Sequence, residues 1–367
     1  LDGFASNLLP RSRTASSTFK LNIHDGCRTS TMTREPVEAR DLHDILIIFW
    51  DEISMVPKWT LQAVDILLRD SMQNESPFGG KVMVVGGDFR QVLPVIERGR
   101  QEDLESACIK RSHLWQHFVT HHLSVNMRAI ADSGEWARML LQIGEGAYPE
   151  DENSFIELPP ALYSSGDLIQ EIFGEAISVS DIAELAEKAI LAPMNIHVAH
   201  MNDLALERMS EQLEFRVYRS IDEVENADPE DAFTCQVEHL NKLQPGGMPP
   251  HELRLKQGCI VMLLRNLDVS KGLCNGTRLI VDQFSQYELG CRFATGMRKN
   301  EFVLIPRIGL YTDKGLPFRR QFPIRLAFAT AINKAQGHRK LESIYPPMYF
   351  PMDNYMLHCQ ELEMPTP

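Results

Sequence analysis

The segment Ile45-Leu46-Ile47-Ile48-Phe49-Trp50-Asp51-Glu52-Ile53-Ser54-Met55 constrains this chain more than any other. Its isoleucine-rich run reads as a strand buried in a sheet, and the strand ends in two adjacent carboxylates. Polar residues at the C-terminal end of such a strand face the crevice where α/β sheets bind ligands. A carboxylate pair there suits a metal-bound triphosphate. Asp51 would hold Mg2+, usually through water, and Glu52 would orient the attacking water. The glycine-rich loop that should cradle the phosphates, Gly-x-x-x-x-Gly-Lys-Ser/Thr, does not occur in the sequence. Gly79-Gly80-Lys81 is not its tail, because Val82 stands where Ser or Thr is needed. That tripeptide reads instead as a turn opening a strand.

With 367 residues, 44% of them hydrophobic and 24% charged, the chain has room for two globular domains and a small insertion. A net charge of −13 argues against a generally basic nucleic-acid coat, but not against a motor with one positive groove. Some of the acidity is local: Asp222, Glu223, Glu225, Asp228, Glu230 and Asp231 read as a solvated loop. Seven cysteines without a Cys-x-x-Cys pair favour a reducing compartment over a disulfide framework. His113, His117 and His121 recur at helical spacing and read as a polar helix face rather than a metal site. No run reaches the roughly 20 apolar residues of a membrane-spanning helix. Leu1-Asp2 does not open a signal peptide, and a start at Leu1 reads as a fragment or a mis-started gene.

The pattern along the chain predicts a short helix and strand within 1–24, a central strand at 45–50, a helix over 58–72 and a strand over 81–85. Further helices are expected near 101–118 and 132–143. Alternating strands and helices imply a parallel sheet with helices on its faces. Residues 144–180 read as a linker, 181–190 as helix, and 190–194 as a strand leading to a second helix. From 253 to 310 short β segments separated by Lys271-Gly272 and Asn275-Gly276 turns suggest a small barrel-like insertion. Residues 322–333 return to strand and helix start.

Three more constellations bear on chemistry. Gly86-Gly87-Asp88-Phe89-Arg90-Gln91 follows the 81–85 strand, so glycines let backbone approach a ligand and Gln91 can sense a terminal phosphate. A simple polar turn is the alternative. Arg128 closes Leu123-Ser124-Val125-Asn126-Met127-Arg128 near a domain junction, where an arginine can neutralise a transferred phosphoryl group. Arg307, Lys314, Arg319, Arg320, Arg325, Lys334, Arg339 and Lys340 crowd 307–340 against Asp313 alone, which reads as a phosphate track or a solvated basic face.

Taken in order, these segments resemble the Pif-type (petite integration frequency) DNA helicases of superfamily one, in the form found in Helitron-like transposon proteins. The resemblance rests on Ser12 to Lys20, Trp50 to Met55, Pro77 to Lys81, Gly86 to Pro94 and Asn126-Met127-Arg128. It continues through Ala192-Pro193, Leu253 to Gly258, Met262 to Asn266, Gly272 to Arg278, Arg320 to Ala329 and Ile332 to Gly337, and so spans about residues 1–338. It implies an α/β fold of two RecA-like P-loop NTPase domains with a small SH3-like β insertion. Domain 1A would take 1–143, the linker and first part of 2A 144–235, the 2B insertion 236–300 and the rest of 2A 301–338. A divergent tail of 339–367 would follow. The implied cofactors are ATP and Mg2+, and the implied activity is 5′-to-3′ unwinding of DNA in repair, recombination and telomere maintenance. Single-stranded and forked DNA would be the partners, and the nucleus, or the mitochondrion, the location.

Carried over by position, Asp51 and Glu52 serve magnesium and water, and Gly87, Asp88, Gln91 and Arg128 line the nucleotide. Thr14, Ser16, Phe19, Asn333, Lys334 and Gln336 touch DNA. Ser16, Ala331 and His338-Arg339 depart from the family's usual His, Thr and Gln-Thr, and neither the phosphate loop nor the final arginine-finger motif is recognisable. Poor ATP hydrolysis by these residues alone is therefore expected. A non-catalytic remnant that binds single-stranded DNA is the main alternative. An ATP-driven exonuclease subunit is a third reading, without an extra carboxylate cluster to support it.

Overall fold

In the computed structural model the described residues are 14–22, 29–32, 42–91, 94, 96, 99–124, 134–152, 155–164, 166–223, 237–243, 247–311, 318–332 and 342–344. The chain divides into two compact units, Arg13–Pro160 and Ala161–Met348.

The first unit is built on one parallel strand pair. Strands β3 (Ile47–Trp50) and β4 (Val82–Val85) pair in parallel, Ile47 opposite Val82 and Trp50 opposite Val85. A parallel connection needs a crossover, and α2 (Lys58–Met72) supplies it. Its Leu61, Val64, Leu67 and Leu68 recur at helical spacing and are buried against Trp50, Ile53 and Val56. Earlier, α1 (Ala15–Phe19) leads into the hairpin of β1 (Leu21–Asn22) and β2 (Thr29–Ser30).

Burial of β3 and β4 is one-sided, which corrects the expectation of a buried central strand at 45–50. Side chains alternate across a strand, so Trp50 faces α2 while Ile47 and Phe49 face outward, 48% and 67% exposed. Val82 and Val84 on β4 are likewise 55% and 43% exposed.

Downstream, the expected helix over 101–118 ends early. Helix α3 covers Gln101–Ala107, and single 3-10 turns follow at Ile109–Arg111 and Trp115–His117. Burial of Ile109 and Leu114 in the core takes precedence over helical continuation. His113, His117 and His121 therefore share no helix face, and no group of three metal-ligating side chains occurs among the described residues. Helix α4 covers Glu135–Gly144.

In the second unit, the segment read as a linker contains α5 (Leu168–Phe173), buried through Leu168, Ile169, Ile172 and Phe173. The helix expected over 181–190 is the single turn α6 (Ile182–Leu185), after which β5 (Lys188–Ala192) begins. Helix α7 (Asn195–Glu207) follows. Strand β5 is central in a parallel sheet between β16 (Ala329–Ala331) and β17 (Glu342–Ile344). Asn202, buried on α7, uses its amide like a neighbouring strand: Nδ2 donates to Ala329 O at 3.1 Å and Oδ1 accepts from Ala329 N at 2.9 Å.

An antiparallel sheet fills the middle of this unit, in the order β12 (Phe302–Pro306), β11 (Glu288–Phe293), β10 (Arg278–Phe284), β9 (Ile260–Leu263), β15 (Ile324–Leu326). Arg278 ties it to the parallel sheet. Its guanidinium is buried and donates to the carbonyls of Ala186 (2.7 Å), Lys188 (2.8 Å) and Ala327 (2.8 Å). Burial lowers its pKa to about 10.

Smaller pairs complete the unit: β6 (Phe215–Arg219) with β8 (Glu252–Lys256), and β7 (Ile221–Glu223) with β14 (Phe318–Gln321), which also pairs with β13 (Ile308–Leu310). Helix α8 covers Val237–Lys242. Here two sequence expectations are corrected. Asp222 is not in a solvated loop and Arg319 is not on a phosphate track. Both side chains are fully buried, and Arg319 donates to Asp222 Oδ1 at 2.8 Å and Oδ2 at 2.5 Å. Arg307 is also engaged, with its guanidinium over the Phe322 ring and a hydrogen bond to Arg219 O. Arg320 remains exposed.

Candidate nucleotide site

The carboxyl ends of β3 and β4 carry two loops that interlock. Gly86 N donates to Trp50 O at 2.9 Å, and Ile53 N donates to Gly86 O at 2.8 Å. The parallel register thus extends past both strands and sets 51–54 beside 86–88. Asp51 is exposed at the end of β3, and its Oδ1 accepts from Glu52 N at 2.9 Å. Glu52 adopts a left-handed conformation, φ 54° and ψ 40°, a strained region for a non-glycine residue that is enriched at functional sites.

Space is tight where the loops touch. A Cβ on Gly86 would stand 3.3 Å from Asp51 Oδ1. One on Gly87 would stand 3.0 Å from Ser54 N, 3.1 Å from Ser54 Oγ and 3.2 Å from Ile53 N. Beyond the glycines, Asp88 organises the loop tip. Its Oδ1 accepts from Arg90 N and Arg90 Nε, both at 3.0 Å, and its Oδ2 accepts from Gln91 Nε2 at 3.4 Å. Burial raises the Asp88 pKa, but the hydrogen bonds and charge of Arg90 outweigh it and hold the carboxyl below its ordinary value. Arg90 also reaches Glu145 at 3.4 Å, just past α4.

Phe89 anchors the loop from behind. It meets Trp115 edge-to-face at 5.7 Å, and Lys110 Nζ lies 4.4 Å from its ring centroid. Trp115 contacts Phe118, which contacts Phe78 in the turn that opens β4. Phe78 N in turn donates to Asp65 of α2 at 2.6 Å. An aromatic row thus ties both ends of β4 to one scaffold. The 3-10 turns that ended α3 are what place Trp115 there. In that opening turn Lys81 points away from any phosphate, donating to Ile45 O at 2.6 Å and His43 O at 3.3 Å. Desolvation lowers its pKa, partly offset by Asp44.

The structure therefore brings Asp51, Glu52, Gly87 and Asp88 into one pair of loops. Gln91 is in the same loop, its amide turned onto Asp88. Arg128, Asn333, Lys334 and Gln336 lie outside the described residues. Thr14 caps α1, its Oγ1 accepting from Ser17 N at 3.2 Å, and Ser16 is half-buried. Phe19 is corrected: it is 3% exposed, with its ring 5.9 Å from that of Trp50, so it packs in the core rather than offering a face to DNA. Ser54 was missed by sequence reasoning. Its hydroxyl is buried without a partner among the described residues, against Gly87. Its place directly after Asp-Glu was the available signal.

The PIF1-like helicase family matches residues 2–154, and the 2B domain of DNA helicase Pif1 matches 238–284. The chain is 29% identical over 297 residues to human ATP-dependent DNA helicase PIF1, covering 78% of this chain and 40% of that protein. It is 26% identical over 342 residues to Pif1 of Bdellovibrio bacteriovorus, covering 91% and 68%. It thus spans about 40% of the length of the vertebrate relatives it matches. The crystal structure of Pif1 helicase from Candida albicans superposes with a TM-score of 0.62 at 20% identity, covering 91% of this chain and 74% of that one. Bacteroides Pif1 in complex with ADP-AlF3 and single-stranded DNA gives 0.62 at 21% identity, covering 94% and 75%. The fold is that of two RecA-like α/β units with a small β insertion. By its matched segments the chain is similar to the PIF1-like helicases, and its fold is the one they share.

Proposed function

We propose that this chain carries the magnesium- and water-handling half of an ATP-dependent DNA helicase, and that ATP hydrolysis there drives 5′-to-3′ movement along single-stranded DNA. The observation that carries this reading is the interlock of Asp51-Glu52 with the Gly86–Gln91 loop. The donor set is hard oxygen, and the exposed Asp51 carboxylate at a strand end fits Mg2+ held through water. When bound, that ion neutralises charge on the phosphate oxygens.

Glu52, poised by its left-handed backbone, orients the attacking water and accepts its proton. Gln91 leaves Asp88 to meet the terminal phosphate. Arg128 neutralises the same group, and Thr14, Ser16, Asn333, Lys334 and Gln336 line the DNA path. Residues 1–143 serve as domain 1A, 144–235 as the linker and first part of 2A, 236–300 as the SH3-like 2B insertion and 301–338 as the rest of 2A. Residues 339–367 form the tail. The stretches around Trp50–Met55 and Gly86–Pro94 favour the Helitron-like form of the family. Forked DNA is the substrate in repair, recombination and telomere maintenance, in the nucleus first and the mitochondrion second.

Titration with a fluorescent ATP analogue tests the site directly. Binding that depends on Mg2+ and weakens in Asp51→Asn is expected, with DNA-stimulated phosphate release, however slow, abolished by Glu52→Gln. No binding at millimolar nucleotide, with single-stranded DNA still bound, would establish the non-catalytic reading instead.

A further inference from the structure

Ser54 follows the acidic pair by two residues and is 1% exposed, yet its hydroxyl has no hydrogen-bond partner among the described residues. An unpaired buried hydroxyl is destabilising, and such a group calls for a reason to persist. Its surroundings supply one. A Cβ on Gly87 would stand 3.1 Å from Ser54 Oγ, so the hydroxyl lies beside the space that the missing side chain leaves open. The adjoining backbone is strained, with Glu52 held at φ 54°. The loop is held on either side of that contact, by Gly86 to Trp50 and Ile53, and by Asp88 to Arg90 and Gln91, while Gly87 is exposed.

We propose that Ser54 is a positioning residue whose hydroxyl bonds the Gly86–Asp88 backbone only when bound nucleotide draws that loop toward Asp51. The bond would report phosphate occupancy to the loop that carries Gln91 and hold it against the acidic pair. The inference rests on the nucleotide reading above and assigns a role to a residue outside its catalytic set.

The test compares the full chain with Ser54→Ala and Thr60→Ala, by thermal unfolding and by titration with a non-hydrolysable ATP analogue plus Mg2+. Thr60 is the control: it lies on α2, is 1% exposed, and its hydroxyl is equally unpartnered among the described residues. Without nucleotide, both variants are expected to unfold at or above the wild-type temperature, since each loses an orphan group. With nucleotide, Thr60→Ala keeps wild-type affinity, whereas Ser54→Ala binds about five- to tenfold more weakly, the loss of one hydrogen bond. Equal affinities for Ser54→Ala and wild type would overturn the inference alone, as would a lowered unfolding temperature with unchanged affinity. Absence of any binding by the wild type would remove the nucleotide reading and this inference with it.

Discussion

Removing the Asp222 carboxylate should be among the most damaging single changes in the second unit. Arg319 is fully buried and makes five hydrogen bonds: two to Asp222, and one each to the carbonyls of Pro249 (2.9 Å), Leu240 (3.2 Å) and Leu243 (3.2 Å). In Asp222→Ala the three carbonyl bonds survive, but the guanidinium loses its counter-charge in a dry environment. Breaking a buried pair from one side costs about 3–5 kcal/mol. Ser220, whose hydroxyl donates to Asp222 at 2.6 Å, loses that acceptor as well and keeps only His251 at 2.8 Å. At about 2–4 °C per kcal/mol for a unit of this size, the midpoint should fall by roughly 6–20 °C. Replacing both partners, Asp222→Leu with Arg319→Met, removes the charge along with its partner and should recover most of the loss. Urea unfolding followed by circular dichroism measures both. A cost below about 1 kcal/mol for Asp222→Ala, or a double variant no better than the single, would refute the assignment of a desolvated charge.

Three further outcomes follow from local geometry. Gly87→Ala should lower nucleotide affinity by about tenfold or more, read by fluorescent-nucleotide titration, because its Cβ meets backbone at Ser54 N and Ile53 N rather than a yielding side chain. Asp268 should titrate at about 2, held down first by the Ser270 hydroxyl and then by Lys271. Its folded pKa lies below its unfolded value, so its contribution is full above about pH 4 and is lost as pH falls through 2. Carboxyl NMR should show an unmoved resonance down to pH 3, and Ser270→Ala should raise the midpoint. Burial raises the thiol pKa of Cys259 to about 12 and pushes Cys291 up as well, so neither should react with iodoacetamide at pH 8 until the chain is unfolded.

Much of the first unit could be read from its letters. The helical spacing of apolar residues over 58–72 matches α2 in its bounds, and the turn read at Gly79-Gly80-Lys81 does open β4. Failures came where tertiary contacts overrode local pattern. The histidine spacing at 113, 117 and 121 suggested a helix, but burying Ile109, Leu114 and the Trp115 ring demanded separate turns. Asp222 and Arg319 lie 97 positions apart, so nothing local distinguished them from the surface charges around them. Phe19 lies in a stretch whose resemblance suggested DNA contact, and only the fold shows its ring against Trp50. At the candidate site, the letters picked out 51, 52, 87 and 88, and the fold sets their two loops side by side. The unpaired Ser54 hydroxyl was not legible, since it exists only through the approach of two loops.

The outward side of β3 and β4 has a consequence for handling this protein. Ile47, Phe49, Val82 and Val84 form a sticky strip beside the equally bare Leu46, the sort of surface through which molecules adhere to one another. Mutual repulsion from a net charge of −13 works against that adhesion, and salt shortens its reach to about 10 Å at 0.1 M. Solutions should therefore turn cloudy first near pH 5.4, where the charge vanishes, or on addition of salt, and a lysine at Phe49 should keep them clear.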